Sequence, residues 1–288
     1  MTYDDTYYLH CSAKGLGDAV SALYVAAPLS TYLRERDSKL VLCTDQSDWF
    51  YQHVNEPNLY YEPYREDGVD MNVDYDKQLR ESRSRKQWYL DAVVREASWV
   101  RSPVAIRAPQ LHPFTGKLPD AYMEQGYVVL APYSAWHHRA WPIVQWIKLA
   151  RELALAGWRV MVIDREEDRL REHFSTVPCE FFYGQSPEWV ANAVRGAALV
   201  IGNDSGIAHL GGLFAVPTIA VMAQLSPALV FSHTAVQAVT PDTGCSPCAW
   251  LGSRGWINSC DSLGCAALHS VSFKQVYNKA MTVLRNQR

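Results

Sequence analysis

The chain has 288 residues, 48% of them hydrophobic and 20% charged, which places it among globular proteins with room for two separately cored domains. Its formal net charge of −3 excludes a general attraction to nucleic acid or to an anionic membrane. No apolar run reaches the ~20 residues of a membrane span, and the acidic start Met1-Thr2-Tyr3-Asp4-Asp5 lacks the basic-then-apolar order of a signal peptide. A monomeric cytoplasmic protein is expected, free or peripheral at the inner membrane face, or in a host cytoplasm if phage-encoded.

In chain order, residues 7–11 read as a strand and Lys14-Gly15-Leu16-Gly17-Asp18 as the loop behind it. Residues 19–33 form a helix with apolar positions Val20, Leu23, Ala27 and Leu33, and 39–44 a second strand, which completes a βαβ unit. Gly15 and Gly17 let the backbone approach a ligand closely. The third glycine of a dinucleotide fingerprint is replaced by Val20, so a nicotinamide or flavin site is a weak alternative. Asp18 suits either a first-turn carboxylate in the helix dipole or a general base for a hydroxyl nucleophile.

Residues 55–76 lack periodicity, and 77–98 read as a helix. Around it Lys77, Arg80, Arg83, Arg85, Lys86, Arg95, Arg101 and Arg107 outnumber Asp76, Glu81, Asp91 and Glu96, with Trp88, Tyr89 and Trp99 interleaved. Such a basic and aromatic patch suits acceptor phosphates or a DNA backbone; a solvated helix with arginine stems on apolar surface is the alternative. Residues 103–119 hold four prolines and read as a crossover between domains.

The second half opens on a strand from Tyr127. The loop behind it gathers Ser134, His137, His138 and Arg139, whose planar fork suits a diphosphate. A helix follows Pro142 and stops near Ala156-Gly157. After the strand 159–164 come Glu166, Glu167 and Asp168, suited to a ribose or to an ordinary solvated helix start over 165–173. A helix over 187–195 leads into an apolar strand that runs into Gly202-Asn203-Asp204-Ser205-Gly206 and a small-residue helix containing Ile207 and His209. Unpaired N–H groups and a partial positive charge at such a helix start suit phosphate, although Asp-Ser-Gly also caps ordinary helices. Alternating strands and helices in both halves predict an α/β protein of two Rossmann-like parallel-sheet domains facing across a cleft: 1–122, 123–270, and a terminal helix 271–288 that packs back on the first domain.

Four cysteines, Cys245, Cys248, Cys260 and Cys265, have a spacing that suits a structural zinc, with free thiols or an oxidised pair as alternatives. Cys11, Cys43 and Cys179 read as core.

The order Gly-Leu-Gly-Asp at 15–18, Pro-x-Ser-x-Trp-x-x-Arg-x-Trp-Pro at 132–142 and Asp-Ser-Gly-x-x-His at 204–209 resembles the heptosyltransferase family, glycosyltransferase family 9. The Cys-Ser-Pro-Cys segment resembles it too; the likeness is strongest from 126 onward and weak over 44–118. The resemblance implies a GT-B fold with an acceptor-binding first domain and a second domain that holds a nucleotide-diphospho-sugar. It implies metal-independent, inverting transfer to an acceptor such as a lipopolysaccharide core glycan. It casts Asp18 as the base and Arg139, where the family usually has Lys, as the cation on the leaving diphosphate. Ser134, Asp204, Ser205, Gly206, Ile207 and His209 match its sugar-donor site, and Glu167 or Asp168 its ribose binder. Lys14, Gly15, Gly17, Arg83, Arg85 and Lys86 fall on the acceptor side. A phage-type DNA-modifying transferase and a non-catalytic nucleotide-sugar binder are the alternatives.

Overall fold

The computed structural model describes residues 5–11, 15–44, 48–63, 68–71, 83–114, 118, 120, 122, 126–231, 233–248 and 265–287. The chain divides into two compact units between Phe114 and Thr115, inside the proline-rich stretch.

In the first unit β1 (Thr6–Cys11), α1 (Leu16–Arg34) and β2 (Lys39–Thr44) form the expected βαβ, with Thr6 opposite Lys39 and Cys11 opposite Thr44. A short helix α2 (Asp48–Tyr51) follows, then β3 (Leu59–Glu62) and β4 (Val69–Asp70). The strands make an all-parallel sheet in the order β3-β2-β1-β4. These last two strands fall where the sequence reads as irregular, because segments of four and two residues are too short to show a period. α3 (Arg85–Glu96) packs on α1 and starts at Ser84, whose side chain accepts the Gln87 N–H at 3.3 Å. The helix expected from 77 thus has its cap at 84; residues 77–82 lie outside those described.

α1 carries Pro28 in its interior. Proline has no N–H, so the Tyr24 carbonyl four residues back loses its helical partner. The backbone N–H of Arg107 takes that place at 3.3 Å. The Arg107 side chain adds bonds to the Ala27 carbonyl and Thr31 Oγ1, both at 3.0 Å, and so docks the proline-rich stretch on the helix.

The second unit is built on β5 (Tyr127–Ala131), β6 (Arg159–Asp164), β7 (Glu180–Tyr183), β8 (Leu199–Asn203), β9 (Thr218–Val221) and β10 (Val236–Val239). All are parallel, in the order β10-β9-β8-β5-β6-β7. The sequence pattern missed β7 and β10, the two edge strands, which are only partly buried. Between the strands run α4 (Ile143–Leu155), α5 (Glu167–Phe174), α6 (Pro187–Arg195), α7 (Gly206–Leu213) and the one-turn α8 (Pro227–Val230). α4 stops at Gly157, which adopts the left-handed φ of +85° that closes a helix. α7 lies close to β9: a Cβ on Gly211 would run into Thr218 Oγ1.

α9 (Ala266–Ser270) and α10 (Phe273–Arg285) close the chain. The terminal helix, expected as a segment of its own packing back on the first domain, is built into the second unit. Its buried seam Val276, Ala280 and Leu284 packs on α4 and on the sheet at β8 and β9.

Candidate active site

The chain enters the second sheet at β5, builds outward through β6 and β7, then returns to lay β8, β9 and β10 on the other side. Strand order therefore reverses between β5 and β8. In open parallel sheets, ligands bind at the carboxyl ends of the strands at this switch point. The two loops that leave it are the two motifs with candidate chemistry, 132–142 and 204–206.

Asp204 follows β8, and Ser205 is the N-cap of α7 with extended backbone and no side-chain capping bond. Its Oγ is buried without a hydrogen-bond partner, so the first-turn N–H groups of Gly206 and Ile207 are not capped by it. The Arg139 guanidinium lies 3.6 Å from the Asp204 carboxylate and 4.9 Å above the half-exposed Trp136 ring. The Arg139 side chain as a whole is 26% exposed. Ser134 is half-buried in the same loop, with its Oγ 3.5 Å from the Trp136 N–H. His209 is buried deeper along α7, its ring 4.6 Å from Phe231 and 5.9 Å from His233.

Two residues given no role by the sequence reading lie at this switch point. Asn203 and Gln224 are both buried, and Gln224 Nε2 donates to the His138 carbonyl at 3.2 Å. The sequence signal was present, a polar residue closing an apolar strand, but its partners depend on which strands are neighbours.

On the other side of β5, the end of β6 brings the third group of candidates to the same edge. Glu167 and Asp168 open α5. Glu167 is drawn to Arg171, which holds its carboxyl below the usual range, while Asp168 is exposed. Asp164 is half-buried, with its side chain nearly covered, and is paired with Arg169, whose guanidinium lies 4.6 Å over the Tyr133 ring. The Tyr133 hydroxyl donates to the Arg169 carbonyl at 3.0 Å, and burial pushes it up to about 12. Loops after three adjacent strands, β6, β5 and β8, thus meet on one edge.

In the first unit Gly15 is the N-cap of α1 and Asp18 its third residue, a first-turn carboxylate behind β1. Gly17 is half-buried and accepts the Ser21 hydroxyl at 2.8 Å. Arg85, at the start of α3, reaches Asp18 Oδ1. A Cβ on Gly15 would stand 3.2 Å from the other oxygen, Oδ2, tighter than an ordinary contact. Lys14 lies outside the described residues.

The basic and aromatic patch does not form as an open surface among the described residues. Trp88 and Tyr89 are buried, Arg83 is held by Asp91, and Arg107 by Glu56. Lys86 is 2% exposed, with its Nζ 3.3 Å over the Tyr24 ring. Lys86 and Tyr89 lie on one side of α3, three residues apart, and Trp88 is buried on another, so the helix is covered on more than the side that packs on α1. Lys77 and Arg80 lie outside the described residues. Of the zinc set, Cys245, Cys248 and Cys265 do not stand together as metal ligands among the described residues. Cys265 is sunk in the apolar core and Cys245 is exposed, while Cys248 Sγ lies 4.0 Å from the Gln224 carbonyl. Cys260 lies outside the described residues, among which no three His, Cys, Asp or Glu side chains stand together as metal ligands. Cys11 and Cys43 are buried as expected, whereas Cys179 is only half-buried.

Two all-parallel α/β units, one of four strands and one of six, are the architecture of the GT-B transferases. The sequence signature of glycosyltransferase family 9 (heptosyltransferase) matches residues 102–250, just over half of the chain. The chain belongs to this family and is a glycosyltransferase. No curated protein sequence matches it. Among solved structures it is similar to the iron-containing dodecameric glycosyltransferase TibC from enterotoxigenic E. coli H10407, at 15% identity and a TM-score of 0.73 over 99% of this chain and 77% of that one. It is similar to E. coli ADP-heptose lps heptosyltransferase II at 13% identity, TM-score 0.65, over 98% and 99% of the two chains. For E. coli heptosyltransferase WaaC with ADP the values are 12%, 0.66, 96% and 99%. At such identities the likeness bears on the fold. Nothing in these comparisons favours a nicotinamide enzyme, a DNA-modifying transferase or a non-catalytic binder. No helix among the described residues is long and apolar enough to cross a membrane.

Proposed function

We propose that this chain transfers a sugar, with inversion, from a nucleotide-diphospho-sugar to an acceptor hydroxyl, with no metal in the chemical step. The observation that carries this is the placement of Arg139 beside Asp204 and the start of α7, which the Ser205 side chain does not cap, between the ends of β5 and β8. A diphosphate there meets a guanidinium fork and the positive end of a helix. ADP-heptose is the first sugar donor to test, since TibC has been solved in complex with ADP-D-beta-D-heptose and WaaC with ADP. Ser134, Ser205, Gly206 and Ile207 line the diphosphate side, and Glu167 or Asp168 takes the ribose hydroxyls. Asp168 is the better placed of that pair, because Glu167 is engaged by Arg171.

Asp18 is the base. Its carboxylate takes the proton of the acceptor hydroxyl as the hydroxyl oxygen bonds to the anomeric carbon. The bond from that carbon to the diphosphate breaks on the opposite face, and the electron pair leaves with the phosphate. Arg139 and the α7 N–H groups meet the charge that grows on the leaving oxygen. Arg85 orients Asp18 through Oδ1, and Gly15 keeps Oδ2 approachable. The acceptor is a glycan of the lipopolysaccharide core type, held by the first unit.

The test incubates the wild type and Asp18→Asn with a panel of nucleotide sugars and glycan acceptors and reads products by mass spectrometry and anomeric NMR. An inverted product is expected, with turnover in the variant down about 100-fold or more and ADP binding unchanged. Near-normal turnover in Asp18→Asn would remove it as the base, and a retained anomeric configuration would overturn the inverting scheme.

A further inference from the structure

β8 is apolar from Leu199 to Gly202 and ends on Asn203, whose side chain is fully buried. An amide in such a place costs free energy unless both its ends are bonded. Both are. Nδ2 donates to the Pro132 carbonyl at 2.8 Å, and Oδ1 accepts the backbone N–H of Trp141 at 3.0 Å. Pro132 and Trp141 are the two stems of the loop between β5 and α4.

The ladder between β5 and β8 ends at the pair Ala131–Gly202. One step further the Asn203 amide replaces the missing backbone ladder, and it reaches the opposite stem as well. A single side chain therefore closes the ring that carries Ser134 and Arg139. Arg139 stands two residues from the Trp141 stem, and the carboxylate beside its guanidinium is Asp204, the residue next to Asn203. The strand end that clamps the loop thus also supplies the partner of its cation.

We infer that Asn203 is a positioning residue for Arg139: its amide fixes the 132–141 loop so that the guanidinium meets the sugar donor's diphosphate at the α7 start. This rests on the sugar-donor reading above. Asn203 touches no substrate itself. Its effect on diphosphate binding passes through Arg139, so the two residues must be energetically coupled.

The experiment is a double-mutant cycle on the full chain, with ADP as the probe and affinity read by calorimetry at pH 8. Asn203→Asp keeps the shape but presents a carboxylate oxygen to the Pro132 carbonyl, and is expected to weaken ADP about tenfold. Arg139→Ala weakens it by a similar factor. The double variant should bind no worse than Arg139→Ala to within about twofold, because the loop then has no cation to place. Losses that multiply, or an Asn203→Asp chain that binds ADP as tightly as the wild type, overturn the inference while leaving the sugar-donor reading in place. A wild type that binds neither ADP nor UDP nor GDP overturns that reading, and the inference with it. If circular dichroism shows Asn203→Asp to be unfolded, Asn203→Leu, of similar shape and uncharged, goes through the same cycle. Failure of both to fold makes Asn203 a residue of the fold alone and overturns the proposal.

Discussion

Arg85 and Lys86 are neighbours in sequence, yet one reaches the Asp18 carboxylate while the other buries its amine on the Tyr24 ring. Helical geometry separates them by about 100°, so the two adjacent side chains meet different parts of α1, Asp18 and Tyr24. Burial pushes the Lys86 amine down from 10.5 to about 7. The sign of the linkage follows. Below about pH 7 the amine is charged in the folded and unfolded chain alike, and the folded state carries the full burial penalty, partly offset by the ring. Between about 7 and 10.5 the unfolded chain binds the extra proton, so stability rises with pH; above that range it levels off. Lys86→Met removes the penalty. Urea unfolding at pH 6.5 should find the variant more stable than the wild type by on the order of 2–4 kcal/mol. At pH 9.5 most of that gap should have closed; a gap independent of pH would show that Lys86 is not held in this environment. The sequence displays the charge of this pair but not the position of the cap at Ser84, and the cap decides which residue turns inward.

At the scale of elements, the first unit depends on a tie that no periodicity announces. Pro28 breaks the hydrogen-bond ladder of α1, and the otherwise irregular stretch after Val100 repairs it through Arg107. Glu56 holds Arg107 in place: its side chain is fully buried and accepts both guanidinium Nη atoms, at 2.6 and 2.7 Å, and the Gln110 N–H at 2.6 Å. The ion pair pushes the Arg107 guanidinium further up from its already high value. Removing one partner of a buried pair strands the other, so Glu56→Ala should cost about 3 kcal/mol in urea unfolding. Glu56→Gln, which keeps an acceptor for the Gln110 N–H, should cost less. Equal stability of Glu56→Ala and wild type would mean that the stretch is not held by this network. The second unit was more legible. The apolar runs of β5, β6, β8 and β9 and the turn residues behind β5 and β8 locate both the sheet and its switch point, because parallel strands buried on both faces read as continuous apolar segments. Edge strands β7 and β10 are half-exposed and short, and escape that signal. Asn203 and Gln224 escape it for another reason: a buried amide is intelligible only once its backbone partners, 71 and 86 residues away, are known.

For the molecule as a whole, the distribution of charge matters more than its sum of −3. In the first unit the described arginines near α3 are spent on internal partners, Arg83 on Asp91, Arg85 on Asp18 and Arg95 on Glu96. In the second, Arg139 retains exposed surface at the switch point, although Asp204 offsets part of its field. A leaving nucleoside diphosphate gains negative charge as its bond to the sugar breaks, and that charge has to be met. Arg139 contributes one full charge and the α7 start about half of one. If these suffice, turnover with a nucleotide sugar should be unchanged after treatment with EDTA, and added Mg²⁺ should not raise it. Arg139→Ala should then lower turnover by about 100-fold or more, and Mg²⁺ should not restore it. Loss of wild-type activity in EDTA, recovered by Mg²⁺, would mean that the cation on the leaving group is a metal. Arg139 would then serve to orient the diphosphate rather than to neutralise it.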